Sequence, residues 1–272
     1  MRTSLFSPAC ALWMVFALSG CSSLPESKTV RANSVRFSYI SVNVGGPVAV
    51  FQSGLGDGMS VWSGVIGQHS STYSVFAYDR PGYGSSSPVG EARAPCSVAK
   101  ELREVLRAAG VQPPYVLVGH SIGGLYQYAY AKLFPDDVAA ILLLDPTHPN
   151  HWVRMTQEDS VATYIVLGLR NTIFSQVMRR EFDDQAKCLD DLRSLKSPSV
   201  PMRLLARSKF EALESEGFKR VVRSLEAEWA KLLPGISRSE VQGAGHYIQK
   251  DRPDVVEREL QQLSAQTRQG KQ

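Results

Sequence analysis

The sequence lacks both a strong excess of one charge and a hydrophobic run long enough to cross a membrane. Its 272 residues carry 30 basic and 26 acidic side chains, which gives a formal net charge of +4. Lys and Arg are scattered among Asp and Glu, whereas nucleic-acid-binding proteins concentrate them in a patch or stripe. We therefore expect no nucleic-acid partner. The apolar run at 9–18 has about half the length of the roughly 20-residue helix that spans a bilayer.

Metal and phosphate motifs are missing as well. The chain contains no H-x-x-x-H or C-x-x-C pair, two spacings at which proteins supply metal ligands. His148 and His151 are three residues apart, but Pro149 disfavours a helix there and no third ligand is evident. Gly54-Leu55-Gly56 lacks the third glycine of a dinucleotide-binding loop. The sequence therefore predicts neither a metal nor a cofactor, in a chain whose 43% hydrophobic content is ordinary for a globular protein.

The N-terminal residues have the pattern of a secretion signal. Arg2 is the only charged residue before Glu26. The apolar run between them has the length and position of a signal-peptide core; a buried N-terminal helix is the alternative. Leu18-Ser19-Gly20-Cys21 follows this run directly and resembles the lipobox of bacterial lipoproteins. The resemblance implies that residues 1–20 are a removed leader and that Cys21 carries lipid.

A lipid anchor would hold the mature protein in the bacterial cell envelope. Residues 21–34 are polar and aperiodic at their start, which predicts a flexible tether. Acyl chains contribute about 0.8 kcal/mol per buried methylene, so stable membrane association needs no transmembrane helix. Ser22, rather than Asp, follows the cysteine. By the same resemblance this favours the outer membrane, with the protein facing the periplasm.

The four cysteines then divide by position. Cys10 leaves with the leader and Cys21 carries lipid, so Cys96 and Cys188 remain. In an oxidising compartment two remaining cysteines often pair. We expect a Cys96–Cys188 disulfide, with two buried free thiols as the alternative.

Beyond residue 34 the sequence alternates strand and helix patterns. Strand patterns occur at 35–41, 47–51, 74–79, 115–119, 139–145, 201–206 and 239–242. Helical spacing of apolar residues occurs at 97–109, 124–134 and 253–263. This alternation predicts an α/β fold, with a mostly parallel central sheet flanked by helices. We expect one domain at 35–264, a helical cap inserted at about 147–198, and a tail at 265–272.

Gly119-His120-Ser121-Ile122-Gly123 matches the G-x-S-x-G motif. It follows a Val- and Leu-rich strand pattern and precedes a helical one, the context of a nucleophile elbow. The two outer glycines lack the Cβ atoms that would collide with the strand and the helix. The turn would raise the Ser121 hydroxyl and place the Ile122 N–H at a helix start, where a developing oxyanion is stabilised.

A serine hydroxyl needs a base to become a good nucleophile. Of the five histidines, His246 lies in Gly243-Ala244-Gly245-His246, after the last strand pattern and before the final helix. In this kind of site the chain order is serine, acid, histidine. The sequence therefore predicts His246 as the base, with a structural turn residue as the alternative.

Together these motifs resemble the α/β-hydrolase-fold serine hydrolases. The resemblance covers residues about 35–264 and includes Gly54-Leu55-Gly56, Tyr78-Asp79-Arg80-Pro81-Gly82, the elbow and Gly245-His246. It implies that the Leu55 N–H is the second oxyanion donor. It also implies that Asp79 has a structural role in its turn.

The acid of the triad is less clearly marked. In many members of this family it follows the next-to-last strand, but here residues 202–206 lead into Arg207 and the first carboxylate is Glu211. Some members carry the acid one strand earlier, where this chain has Asp145. Asp145 is our predicted acid, which would fix the imidazole tautomer, with Glu211 and Glu214 as alternatives.

The resemblance implies hydrolysis of a small-molecule carboxylic ester through an acyl-enzyme. Ser at the elbow, rather than Asp, argues against dehalogenase and epoxide-hydrolase chemistry. Four apolar cap residues suggest an acyl-binding pocket or, equally, a cap core: Trp152, Tyr164, Ile165 and Leu167. An aminopeptidase or amidase of the same fold is the alternative enzyme. It would need an amine-binding carboxylate, with four available in the cap: Glu158, Asp159, Asp183 and Asp184. A lipoprotein that binds a ligand without turnover is the non-enzymatic alternative.

Overall fold

An eight-stranded mixed sheet runs through the protein. The computed structural model describes residues 23–67 and 72–269, so the predicted leader at 1–20 and Cys21 lie outside the described residues. The strands are β1 (Lys28–Ala32), β2 (Val35–Val42), β3 (Val48–Gln52), β4 (Ser74–Tyr78), β5 (Tyr115–His120), β6 (Val138–Leu144), β7 (Met202–Arg207) and β8 (Ser237–Val241). Their spatial order is β1-β2-β4-β3-β5-β6-β7-β8. Among the strands of the described residues, the β1–β2 and β2–β4 pairs are antiparallel and the other pairs are parallel.

The helices of the described residues cover both faces of this sheet. They are α1 (Ser63–Ile66), α2 (Pro95–Ala108), α3 (Ile122–Leu133), α4 (His151–Glu158), α5 (Ser160–Thr172), α6 (Gln176–Asp184), α7 (Leu189–Ser194), α8 (Glu216–Leu232), α9 (Ile248–Asp251) and α10 (Pro253–Gln269). One apolar cluster joins α2 and α3 to one face, and a second joins α1 and α10 to the other. Every residue of β4 and β5 is buried, as expected for parallel strands covered on both faces.

Four helices, α4 to α7, lie between β6 and β7, where the sequence predicted the cap insertion. Within the part of the chain that the structure describes, no helix combines the length and the apolar character needed to cross a bilayer.

Two boundaries differ from the sequence prediction. Residues 28–32, assigned to the flexible tether, form β1, which pairs with β2 from Lys28 opposite Tyr39 to Ala32 opposite Val35. The cause is a two-residue turn in which Asn33 and Ser34 both adopt positive φ, 47° and 68°, the conformation that closes tight hairpins. At the other end, the predicted tail at 265–272 is helical as far as residue 269.

A disulfide joins the cap to the sheet domain. Cys96 lies in the first turn of α2, and Cys188 immediately precedes α7. Their sulfur atoms are 2.05 Å apart and the cysteines are 92 residues apart in the chain. The bond therefore closes a loop that contains β5, β6 and most of the cap.

We expect that removing this bond with the Cys96→Ala/Cys188→Ala double variant will lower the free energy of unfolding by about 2–4 kcal/mol, because the unfolded chain regains the freedom of the closed loop. Urea denaturation of the two proteins measures the difference. Thiol titration of the unfolded, unreduced wild-type protein is the control. Detection of free thiols from both residues would contradict the pairing.

Candidate active site

Ser121 occupies a strained turn between β5 and α3. Its φ of 55° and ψ of −126° lie in a region that non-glycine residues rarely adopt. Three surrounding glycines make the turn possible. A Cβ on Gly119 would lie 2.7 Å from the Gly123 carbonyl oxygen, one on Gly124 would lie 2.6 Å from Pro146 Cβ, and one on Gly123 would overlap the Gln52 backbone. The G-x-S-x-G motif thus forms the elbow that its sequence context predicted.

Asp145 and His246 meet at the same edge of the sheet. Asp145 directly follows β6, at a φ of 41°, and its Oδ2 lies 2.5 Å from His246 Nδ1. Burial opposes ionisation of Asp145, but the hydrogen bond with His246 and the charges of His246 and Arg207 outweigh it and hold the pKa of this carboxyl below its usual value. The alternative acids Glu211 and Glu214 make no hydrogen bond to the imidazole within the described residues.

Arg207, the last residue of β7, links these groups to Glu214 in the segment between β7 and α8. Its guanidinium donates from Nε to Asp145 Oδ2 at 2.7 Å and from Nη1 to Glu214 Oε1 at 2.7 Å. Nη2 lies 3.1 Å from His246 Nδ1. The side chain is 6% exposed. Asp145 Oδ2 is therefore shared between the imidazole and a buried cation.

A second histidine, His120, contacts the backbone and the ring of His246. His120, just before Ser121, lies with its Nε2 2.9 Å from the His246 carbonyl oxygen, and the two ring centroids are 4.6 Å apart. Burial and the neighbouring His246 keep the pKa of His120 well below its usual value. A neutral His120 whose Nε2–H donates to this carbonyl fixes the backbone of the His246 loop.

The two predicted oxyanion donors follow the neighbouring strands β5 and β3. Ile122 is the first residue of α3, and Leu55 is half-buried in the loop after β3. Within the described residues neither backbone amide donates a hydrogen bond to a protein acceptor. Both amides are therefore free to donate to a bound group.

Comparison with known proteins identifies the fold. A family model described as alpha/beta hydrolase fold matches residues 47–179, from β3 into α6. A thermophilic esterase from Thermogutta terrifontis superposes with a TM-score of 0.62 at 16% identity, over 89% of this chain and 99% of that one. The chain has the α/β-hydrolase fold.

Two relatives show how far sequence similarity extends. The uncharacterized protein YqjL of Bacillus subtilis (strain 168) is 24% identical over 225 residues, which is 78% of this chain and 81% of YqjL. The Klebsiella pneumoniae (strain 342) protein named "Putative carbamate hydrolase RutD" is 31% identical over 113 residues, 41% of this chain and 40% of that protein. The chain thus spans about two fifths of this second relative.

A buried ion pair, which nothing in the sequence indicates, joins the predicted oxyanion loop to the cap. Arg80 Nη1 and Nη2 donate to the Ser53 and Gly54 carbonyl oxygens at 2.6 and 2.8 Å. The same guanidinium binds both carboxylate oxygens of Glu181 in α6, at 2.8 and 2.9 Å. Tyr83 also donates to Glu181, at 2.8 Å. The sequence predicted a structural role for the turn Asp79-Arg80-Pro81-Gly82. It did not indicate that Arg80 pairs with a carboxylate of the cap.

The Glu181→Gln variant should lose about 3–5 kcal/mol of unfolding free energy, because it leaves the buried Arg80 charge without its counter-ion. Asp183→Asn is the matched control: it lies on the same helix, but its partner is the half-exposed Arg170, so we expect a loss below about 1 kcal/mol. Denaturant titration of both variants checks this. Equal losses would contradict the role given to the Arg80–Glu181 pair.

A cavity of about 480 Å³ opens over the elbow and contains Ser121, Asp145 and His246 in its wall. Its wall also includes four residues of α8, which are Phe218, Val222, Leu225 and Glu226. The other polar side chains of the wall are His148, His151, Arg207, Glu211, Glu214 and Asp251. Burial lowers the pKa of His151 to about 4, so this imidazole is neutral. The cavity wall therefore combines polar side chains with the apolar face of α8 in about equal measure.

The cap side chains suggested for an acyl pocket do not line this cavity. Tyr164 and Ile165 are 75% and 54% exposed on the outside of α5, and Trp152 and Leu167 border a different depression. Helix α5 has no buried residue, so its apolar side chains are exposed or only partly buried.

The four cap carboxylates suggested for amine binding are absent from the cavity wall too. Each of them instead contacts another part of the protein. Glu158 pairs with Arg154, Asp159 caps α5, Asp183 pairs with Arg170, and Asp184 accepts from the Arg93 backbone N–H. Helix α8 replaces them in the wall, and its spacing of Phe218, Val222, Leu225 and Trp229 was the signal that could have predicted it. Within the described residues no cluster of His, Cys, Asp and Glu is arranged to hold a metal ion.

Proposed function

We propose that this protein is a serine hydrolase that cleaves a carboxylic ester through an acyl-enzyme. Ser121 is the nucleophile, His246 the base and Asp145 the orienting acid. The observation that carries the proposal is the 2.5 Å contact between His246 Nδ1 and Asp145 Oδ2, beside a serine on a strained elbow in the same cavity wall.

The contact with Asp145 selects the imidazole tautomer that the reaction needs. A proton on Nδ1, donated to Asp145, leaves Nε2 free to accept the Ser121 proton. The serine oxygen then bonds to the ester carbonyl carbon, and the resulting oxyanion is stabilised by the Leu55 and Ile122 N–H groups. The C–O bond to the alcohol breaks as His246 returns the proton to it. Water repeats these steps and releases the acid.

The four cap carboxylates do not support the aminopeptidase alternative. The carboxylates first suggested for amine recognition have structural partners outside the cavity. The cavity volume of about 480 Å³ suits a short acyl or alcohol group rather than a long chain. The names of the esterase and carbamate hydrolase relatives also support hydrolysis of a carbonyl substrate.

We also propose that the mature protein is lipid-anchored at Cys21 in the bacterial envelope, on the outer membrane facing the periplasm. The support is the lipobox-like Leu18-Ser19-Gly20-Cys21 after an apolar run. Mass spectrometry of the protein purified from membranes tests it, because cleavage before Cys21 and acylation change the mass of the N-terminal peptide. An unmodified N-terminus beginning at Met1 would contradict it.

A fluorophosphonate probe and a paired substrate series test the reaction. We expect labelling of Ser121, hydrolysis of short p-nitrophenyl esters, and much slower cleavage of the corresponding p-nitroanilides. Faster cleavage of aminoacyl p-nitroanilides would favour the aminopeptidase alternative. Absence of labelling, with ligand-induced stabilisation, would favour the non-catalytic binding protein.

A further inference from the structure

The peptide between Gly54 and Leu55 has its two polar ends in different surroundings. Its N–H belongs to Leu55, the proposed oxyanion donor, and donates to no protein acceptor within the described residues. Its carbonyl oxygen, on Gly54, accepts from Arg80 Nη2 at 2.8 Å and from the Asp57 backbone N–H at 3.3 Å. Because a trans peptide is planar and its C=O and N–H point in opposite directions, a group that holds the carbonyl also fixes the direction of the Leu55 N–H.

This segment of the loop lies against the nucleophile elbow. A Cβ on Gly54 would be 3.0 Å from His120 Nδ1, and a Cβ on Gly123 would be 2.5 Å from the Ser53 carbonyl oxygen. His120 immediately precedes the nucleophilic serine, and Gly123 follows it by two residues. The Gly54 peptide is therefore a close neighbour of the nucleophile, as an oxyanion donor must be.

A carboxylate of the cap sets the orientation of the Arg80 guanidinium. Glu181 in α6 accepts from Arg80 Nε at 2.8 Å and from Nη2 at 2.9 Å, and a planar guanidinium makes such a two-point contact in one orientation. In that orientation Nη2 also donates to the Gly54 carbonyl oxygen, and Nη1 donates to the Ser53 carbonyl oxygen at 2.6 Å. The Arg80 and Glu181 side chains are 1% and 0% exposed, so water does not compete for these bonds.

Glu181 also acts on the next peptide of the loop, through Tyr83. The Tyr83 hydroxyl donates to Glu181 Oε2 at 2.8 Å and accepts from the Gly56 N–H at 3.3 Å. On the same helix Met178 covers Gly56, since a Cβ on this glycine would lie 3.2 Å from Met178 Cε. The peptides on both sides of Leu55 are thus held by groups that α6 supplies or orients.

We propose that Glu181 is a positioning residue for the oxyanion site, because through Arg80 and Tyr83 it holds the Leu55 N–H in the direction of the developing oxyanion. The cap then contributes to the chemical step, although the wall of the Ser121 cavity contains no side chain of α6. This inference rests on the proposed function, since it takes the Leu55 N–H as an oxyanion donor.

Two substrates that differ in one atom report on the oxyanion donors. p-Nitrophenyl thionoacetate has sulfur in place of the carbonyl oxygen of p-nitrophenyl acetate, and sulfur is a weak hydrogen-bond acceptor. The ratio of kcat/KM for the oxygen ester to kcat/KM for the thionoester therefore measures how much the donors contribute. Because both values come from one protein sample, a fraction of unfolded protein cancels in the ratio.

Glu181→Gln should lower this ratio by about 10–100-fold, because a misaligned donor costs less than the 10²–10³-fold loss caused by deleting one. Tyr83→Phe removes only the hydroxyl that joins Glu181 to the Gly56 N–H. It should lower the ratio by a factor of about 2–10, as expected for one hydrogen bond. Asp183→Asn is the matched control, because Asp183 lies on the same helix and pairs with Arg170 outside this network; the ratio should not change.

A merely structural role of Glu181 would lower the rates for both substrates in proportion. A Glu181→Gln ratio equal to that of the wild type, at any level of activity, would therefore overturn the proposal. If Glu181→Gln yields no folded protein, Tyr83→Phe decides: a reduced ratio supports the proposal and an unchanged ratio rejects it.

Crystal structures of the wild type and of a folded variant, Glu181→Gln or Tyr83→Phe, separate this inference from the proposed function. If the wild type hydrolyses neither ester, the proposed function fails. A displaced Leu55 N–H in the variant would then still support positioning by α6. A Leu55 N–H that lies as in the wild type would reject it.

Discussion

Replacing Ser121 by Ala is expected to lower kcat for p-nitrophenyl acetate by a factor on the order of 10⁶, because every covalent step passes through this hydroxyl. The fold should persist. Ala is smaller than Ser, and no hydrogen bond of the Ser121 side chain supports the surrounding structure in the described residues. Its backbone bonds, from Ser121 N to the Leu144 carbonyl oxygen and from Thr147 N to the Ser121 carbonyl oxygen, would remain.

Stopped assays at high enzyme concentration measure this loss, and thermal denaturation checks that the variant is folded. Ser208→Ala is a suitable control. Ser208 follows β7 at the same edge of the sheet, but its hydroxyl only accepts the Gly243 backbone N–H at 2.9 Å. We expect Ser208→Ala to retain most of its activity. A folded Ser121→Ala protein with more than about one hundredth of wild-type kcat would refute the nucleophile assignment.

Much of this site could be predicted because its residues follow strands. Strands in a parallel sheet end at one edge, so runs such as 115–119 and 139–145 placed Ser121 and Asp145 near each other without any knowledge of their contacts. The elbow was equally predictable, since its glycines are required by close approaches of the backbone that no side chain can relieve.

What could not be predicted depends on contacts between distant segments. Nothing near Arg80 in the sequence indicates that a carboxylate 101 residues later pairs with it. Helix α8 carries a helical apolar spacing, but nothing in the sequence indicates that Glu226 within it is buried and paired with Arg238. Strand β1 is a five-residue edge strand with one buried residue, and such a short segment has too little alternation to stand out.

Arg207 is the clearest case of a residue whose meaning changed with the structure. In the sequence, Arg207 directly follows residues 202–206, where many members of the family carry the acid and this chain has no carboxylate before Glu211. In space it is a buried cation between Asp145 and Glu214, with its guanidinium 5.1 Å from the Phe210 ring centroid. Asp145, just after β6, and Arg207, at the end of β7, therefore form a buried ion pair, since an isolated buried carboxylate beside the imidazole would be costly to ionise.

Asp145→Asn should lower kcat by about 10⁴-fold in a folded protein. Arg207 Nη2 lies 3.1 Å from His246 Nδ1 in the wild-type structure. Without the carboxylate charge of residue 145, Nδ1 is expected to accept a hydrogen bond from this N–H group. That bond favours the tautomer with the proton on Nε2, which cannot accept the Ser121 proton. Kinetics on p-nitrophenyl acetate measure the loss, and Glu214→Gln, which alters the other partner of Arg207, should cost far less.

The effect of replacing Arg207 on kcat should therefore depend on whether residue 145 is Asp or Asn. In the Asp145→Asn background, Arg207→Met removes the donor that selects the unproductive tautomer, so the double variant should recover part of the lost kcat. In the wild-type background the same substitution removes a buried counter-ion of Asp145 and should lower kcat and stability. A double variant with lower kcat than Asp145→Asn alone would show that Arg207 does not compete for the imidazole. If Glu214→Gln, rather than Asp145→Asn, lowered kcat by about 10⁴-fold, the acid would be Glu214.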